Sequence, residues 1–173
     1  MVGASDERVE VVDEHDHVVE VVTRRRMRAE NLRHRAVYIL VTDSADRLLI
    51  HRRSDTKDVW PGRWDVAAGG VVGVGESYES AARRELVEEL GIDAGLSEPV
   101  ESLESLELLG PCAYADADVA LVGRVYRTRH DGPVHFADGE VVEATWVSRA
   151  ELDERMRRDP FVPDSIATAL PLL

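Results

Sequence analysis

Apolar and polar residues recur along this chain with two periods, and the switch between them marks its elements. Val-rich runs at 9–12 and 18–22 flank the polar Asp13-Glu14-His15-Asp16-His17, which predicts a hairpin. His15 and His17 fit its turn better than they fit metal ligands. Residues 1–8 read as a loosely ordered end. Residues 36–42, β-branched and aromatic, predict a central strand. Asp43-Ser44-Ala45-Asp46 turns the chain into a partner strand at 47–53. Residues 54–64 form a loop around the turn signal Pro61-Gly62, and 65–72 form a small-residue strand. Later strands are expected at 102–109, 119–126 and 141–147, with loops at 111–118 and 129–139.

The period lengthens at 77–90, where Ala82, Leu86 and Leu90 stand four apart and form an apolar stripe. Ser77 is placed to cap this helix and Gly91 to end it. Residues 148–157 predict a second helix capped by Ser148. Pro160 and Pro163 punctuate the tail, where Asp164 or Ser165 would cap a last short helix through Leu170. The basic segment 24–32 is helix-compatible. It reads first as a solvated face, and second as a source of attraction for an anionic substrate. Strands outnumber helices in a mixed order, so the fold class is α/β: a mixed sheet flanked by helices, in one domain over 1–173.

Composition narrows the function. The 173 residues carry a net charge of -13, which disfavours nonspecific binding to nucleic acid or an anionic membrane. Cys112 is the single cysteine, so no internal disulfide can form. The first ten residues lack the apolar core of a signal peptide, and no apolar run approaches a membrane span. A soluble, cytoplasmic protein is expected, and a homodimer is compatible with the sequence.

Glu85, Glu88 and Glu89 stand at i, i+3 and i+4, one face of a helix about a turn long. Like charges so placed repel. A divalent cation reverses that repulsion, and hard carboxylate oxygens suit Mg²⁺ or Mn²⁺. The bland alternative is a solvated Glu-rich surface helix.

Gly70-x5-Glu76-x7-Arg84-Glu85-Leu86-x-Glu88-Glu89-x-Gly91-Ile92 resembles a complete Nudix box. The resemblance implies an α/β/α sandwich with the box as a loop–helix–loop. It also implies a metal-dependent hydrolase that splits the phosphoanhydride of a small diphosphate-linked molecule, such as a nucleoside diphosphate derivative. Glu85, Glu88 and Glu89 then match the family's metal ligands, Gly70 its backbone-carbonyl ligand, and Glu76 an outlying glutamate that is ligand or structural. Arg84 matches the arginine that orients a box carboxylate. Glu88, Glu89 or a residue of a later loop would take the proton from the attacking water. Glu140, and behind it Glu143, are candidates for an extra carboxylate.

A second resemblance covers most of the chain. Arg52-Arg53, Lys57, Trp60-Pro61-Gly62-x-Trp64 and Phe161-Val162-Pro163-Asp164-Ser165 are similar to the isopentenyl diphosphate isomerase-like branch of this superfamily. The isomerase needs a cysteine just before the position of Gly70. Gly69 stands there and has no side chain to move a proton, and Cys112 lies far along the chain. A hydrolase on an isomerase-like scaffold is therefore favoured over an isomerase, or over a noncatalytic ligand sensor. Arg52, Arg53, Lys57 and Arg63 are candidates for gripping the diphosphate. Trp60 and Trp64 could stack on the attached moiety or sit in the core. His34 reads as a structural or substrate-lining residue.

Overall fold

A computed structural model describes residues 6–93, 106–136 and 139–173. Within them β1 (Arg8–Val12) and β2 (Val18–Thr23) form the expected hairpin, with Arg8 already in the strand rather than in a loose end. The short α1 (Arg24–Ala29) follows, capped by the Thr23 side chain.

β3 (His34–Thr42) is the spine. One edge pairs along its whole length with β8 (Ala120–Arg129), in parallel. The other edge is shared in succession by β1 at His34, β6 (Ala68–Val71) over Ala36 to Ile39, and β4 (Leu48–Arg53) at Thr42, all antiparallel. β4 turns away from β3 to pair with the two-residue β5 (Trp64–Asp65) and with β9 (Val141–Val147). β7 (Glu107–Ala115) pairs only with β8 among the described strands. The sheet is thus mixed, and it opens where β3 and β4 diverge.

Both faces of β3 are covered, which is why the strand is apolar from Ala36 to Val41 instead of alternating. Val37, Ile39 and Val41 pack against Ala82, Leu86 and Leu90 of α2 (Tyr78–Leu90). Ala36, Tyr38 and Leu40 face the opposite layer, where Leu152 of α3 (Arg149–Arg158) lies with Phe161 and Leu170. The last elements are α4 (Pro163–Thr168) and a 3-10 turn at Leu170–Leu172. The result is the expected three-layer α/β/α arrangement. Among the described residues no helix is long and apolar enough to cross a membrane.

Two expectations are corrected. The strand expected at 102–109 begins at Glu107, residues 102–105 lying outside the described set. It then runs on through Pro111, where a loop was expected. An edge strand has an unpaired side, so a proline there removes no ladder bond. At the tail neither Asp164 nor Ser165 caps α4. Val162 holds the cap position without a side-chain bond, and Pro163 opens the helix because its fixed φ suits a first turn. Elsewhere the caps match: Ser77 accepts from the Ser80 N–H, and Ser148 and Glu151 form a reciprocal capping box. Gly91 ends α2 at φ 65°, a left-handed position suited to glycine.

Candidate active site

α2 presents its carboxylates in two ways. Glu85 and Glu89, four apart, are buried on the flank turned to β6, whereas Glu88 is exposed. The single acidic face read from the spacing is therefore split between two environments. A cavity of about 300 Å³ opens beside it, lined by Glu76, Arg84, Glu85, Glu88, Lys57 and Glu140 at its acidic end.

Two cations organise that end. The Arg84 fork reaches Glu76 with Nε and Nη2, both at 3.0 Å, Glu85 Oε1 at 2.6 Å and Glu88 Oε2 at 3.0 Å. Its Nη2 also donates to the Val71 carbonyl at 3.2 Å, which ties the fork to β6. Lys57 bridges Glu89, at 3.1 Å, and Glu140. The other oxygen of Glu89 accepts from the Gly69 N–H at 3.1 Å.

The charges respond to these surroundings. Burial, with the Glu89 charge beside it, pushes the Glu85 carboxyl up to about 7 against the pull of Arg84. Burial acts upward on Glu76 too, but its bonds to Arg84 and the Gly73 N–H outweigh it and hold that carboxyl below its usual range. Lys57 resists its own burial because the Glu89 and Glu140 charges raise it.

Gly69 and Gly70 are required by close approach. A Cβ on Gly70 would lie 2.4 Å from Glu85 Oε1, and one on Gly69 would lie 2.0 Å from the Val37 carbonyl oxygen. The strand thus runs directly against the carboxylates. Five carboxylates share two cations here, and that acidic excess in hard oxygen donors fits a divalent cation. Among the described residues no three ligating side chains are converged as they stand. Arg84 holds both oxygens of Glu76 and one each of Glu85 and Glu88, and Lys57 holds one each of Glu89 and Glu140.

The remaining candidates divide. Arg53, Lys57, Trp60 and His34 line the cavity. Arg53 donates to the Val59 carbonyl at 3.0 Å and faces Asp65 at 3.6 Å. His34 accepts burial as a neutral ring: burial, then the Arg28 charge, push it down to about 4. Arg52, Arg63 and Trp64 are not among the residues that line the cavity. Neighbouring residues of a strand point to opposite faces, so Arg53 turns inward and Arg52 outward toward Asp55. Arg63 donates to the Phe161 carbonyl and stacks over Trp60 at 4.9 Å. Trp64 is a core residue under Arg155, whose guanidinium sits 4.1 Å from the ring centre. Glu143 is exposed opposite Arg52 on the β4–β9 ladder.

His15 and His17 stay exposed in the hairpin turn. Cys112, outside the lining, has its thiol pushed up to about 11 by burial. Sequence reasoning missed Tyr38, Asp65 and Asp164 as cavity residues, and gave Arg24 and Arg28 only as a general source of attraction. Phe161-Val162-Pro163-Asp164-Ser165 was the one signal that pointed to Asp164.

Comparison with known proteins agrees with this geometry. The NUDIX domain family model matches residues 32–165. The chain belongs to this family. The NUDIX chain is 39% identical over 163 residues to the uncharacterized Nudix hydrolase YfcD of Escherichia coli strain K12, covering 94% of this chain and 84% of that one. It is likewise 39% identical over 168 residues to the uncharacterized Nudix hydrolase SCO1686 of Streptomyces coelicolor, covering 96% and 88%. Among solved structures, DR0079 from Deinococcus radiodurans superposes with a TM-score of 0.77 at 28% identity, covering 93% of this chain and 96% of that one. This Nudix protein is a hydrolase acting on acid anhydrides, and Nudix hydrolases generally use divalent metal ions.

Proposed function

We propose that this protein hydrolyses the phosphoanhydride bond of a small diphosphate-linked molecule, a nucleoside diphosphate derivative, with Mg²⁺ or Mn²⁺ as cofactor. The observation that carries the reading is the acidic end of the cavity, where Arg84 gathers Glu76, Glu85 and Glu88, and Lys57 joins Glu140 to the buried Glu89 outside the lining. Glu85, Glu88, Glu89 and the Gly70 carbonyl would ligate the cation, with Glu76 and Glu140 as further donors. When bound, that cation neutralises the diphosphate oxygens and lowers the pKa of the attacking water.

The chain's own groups supply the rest. Arg84 orients Glu85 and Glu88. Glu88, exposed and held by Arg84, is best placed to take the proton from water, with Glu89 as the buried alternative. Arg53 and Lys57 meet the diphosphate tail, and Trp60 meets the attached moiety.

An isomerase-like scaffold turned to hydrolysis is supported by Arg53, Lys57 and Trp60 on the cavity wall. The absence of a thiol at Gly69 argues against isomerisation itself. A single domain over 1–173 is supported because strands from Arg8 to Val147 join one sheet. A cytoplasmic site of action fits the lone cysteine.

The test is incubation with Mg²⁺, or with chelator, and a panel of nucleoside diphosphate derivatives plus isopentenyl diphosphate, products being identified by mass spectrometry. Metal-dependent anhydride cleavage is expected, reduced about a hundredfold or more in Glu88→Gln or Glu89→Gln. Wild-type rates in both variants would refute the assignment.

A further inference from the structure

Lys57 and Asp58 are consecutive residues of the loop between β4 and β5, and they grip opposite charges. Lys57 reaches the carboxylates, Glu89 at 3.1 Å and Glu140 beside it. Asp58 reaches α1, where its Oδ2 lies 3.3 Å from Arg28 Nε and 3.5 Å from Arg24 Nε. The loop secures its own backbone here, since the Thr56 and Lys57 N–H groups both donate to Ser54. Arg24, Arg28, Lys57, Asp58 and Glu140 line the acidic cavity, and all five also line a second hollow of about 350 Å³.

Each partner of this dipeptide is one that a cation or a diphosphate would also seek. Lys57 holds an oxygen of both Glu89 and Glu140, which the reading above assigns as metal donors. Arg28 has five N–H donors, of which only Nε bonds Asp58 among the described residues. Its two Nη groups carry no bond, and a guanidinium fork matches the paired oxygens of a phosphate, whereas Asp58 offers it one. The Asp58 side chain is 42% exposed, and ion pairs so open to water are weak enough to exchange.

Resting on the hydrolytic reading, we propose that Arg24 and Arg28 bind phosphate oxygens of the substrate in exchange for Asp58, and that the Lys57–Asp58 step couples this exchange to competition between Lys57 and a divalent cation. One peptide bond joins the two residues, so releasing either loosens the hold of the other. Cation and diphosphate are then taken up cooperatively.

The test is calorimetry on the full chain, with Mn²⁺ alone and with methylenediphosphonate alone in chelator. Asp58→Asn should bind the diphosphonate about three- to tenfold more tightly because Arg24 and Arg28 are freed, and Arg28→Met about tenfold more weakly. Mn²⁺ reads the coupling. Deleting a carboxylate near a cation site weakens that site by Coulomb's law, whereas loosening Lys57 strengthens it. Asp58→Asn should therefore bind Mn²⁺ about threefold more tightly than wild type. In a Lys57→Met background the same substitution should bring no gain. If that double variant does not fold, the Mn²⁺ titration of Asp58→Asn decides alone. Unchanged or weaker Mn²⁺ binding in Asp58→Asn, or unchanged diphosphonate binding in Arg28→Met, overturns the proposal. Both titrations as expected, with no diphosphate cleaved, would refute the hydrolytic reading alone.

Discussion

Lys57 Nζ lies 3.1 Å from Glu89 Oε1, with the two side chains only 10% and 1% exposed. The ammonium reaches the carboxylate from the loop before the box and joins it to Glu140. A charge withdrawn so far from water needs a partner, and Glu89 has Lys57 on one oxygen and the Gly69 N–H on the other. The pairing fixes where the helix carboxylate stands.

Lys57→Met should therefore destabilise the fold by about 3 kcal/mol, the order expected when one partner of a buried pair is removed. Urea denaturation measures it. Turnover should fall at least about tenfold as Glu89 loses its position. Arg52→Met, outside the cavity, should change stability by less than about 0.5 kcal/mol and leave turnover near wild type. Equal effects of the two substitutions would contradict this placement.

Placing a thiol at position 69 should not yield an isomerase. The Cβ of Gly69→Cys would meet the Val37 carbonyl at 2.0 Å, so β3 and β6 must part. A loss of stability of about 3 kcal/mol or more is expected, at the upper end of overpacking costs. No allylic isomer of isopentenyl diphosphate should form. A stable variant that makes that isomer would show the scaffold accommodates both chemistries.

Arg84 binds four groups through one planar fork, a geometry Lys cannot copy. Arg84→Lys should lower kcat by about ten- to a hundredfold at saturating metal, since Glu85 and Glu88 lose a common anchor. Steady-state kinetics check this. An unchanged kcat with a raised KM would make Arg84 a substrate-binding residue instead of a positioning one.

His34 makes stability depend on pH. Its folded pKa, about 4, lies below the usual 6.5, so on acidification the unfolded chain takes the proton first. The contribution of neutral His34 is whole above pH 6.5 and is lost as pH falls toward 4, by up to about 3 kcal/mol. His34→Gln has no such titration. The stability of wild type relative to this variant should fall by roughly 2 kcal/mol between pH 7.5 and pH 4.5. His51, buried and also pushed down, titrates in both proteins and cancels. Parallel pH profiles would contradict the assignment.

The parts legible in the sequence were those set by local spacing. The run at 36–42 announced the spine, and Ser77, the four-residue stripe and Gly91 announced α2 with its caps. What escaped depends on contacts between distant segments. Spacing brought Glu85, Glu88 and Glu89 together, but the packing of α2 against β6 buries two and exposes the third. Two adjacent arginines looked equivalent until the strand sent Arg53 inward. Trp60 and Trp64 share a motif, yet one lines the cavity and the other lies under Arg155. Asp164 meets Tyr38 across 126 positions, a pairing no local pattern announces.

Hydrolysis in ¹⁸O-labelled water tests the central claim most directly. The active substrate of the panel, turned over once with Mg²⁺, should give one phosphoryl product carrying a single heavy oxygen, with no label when metal is chelated. Label on a carbon-bound oxygen, or an unlabelled rearranged diphosphate, would contradict attack of water on phosphorus.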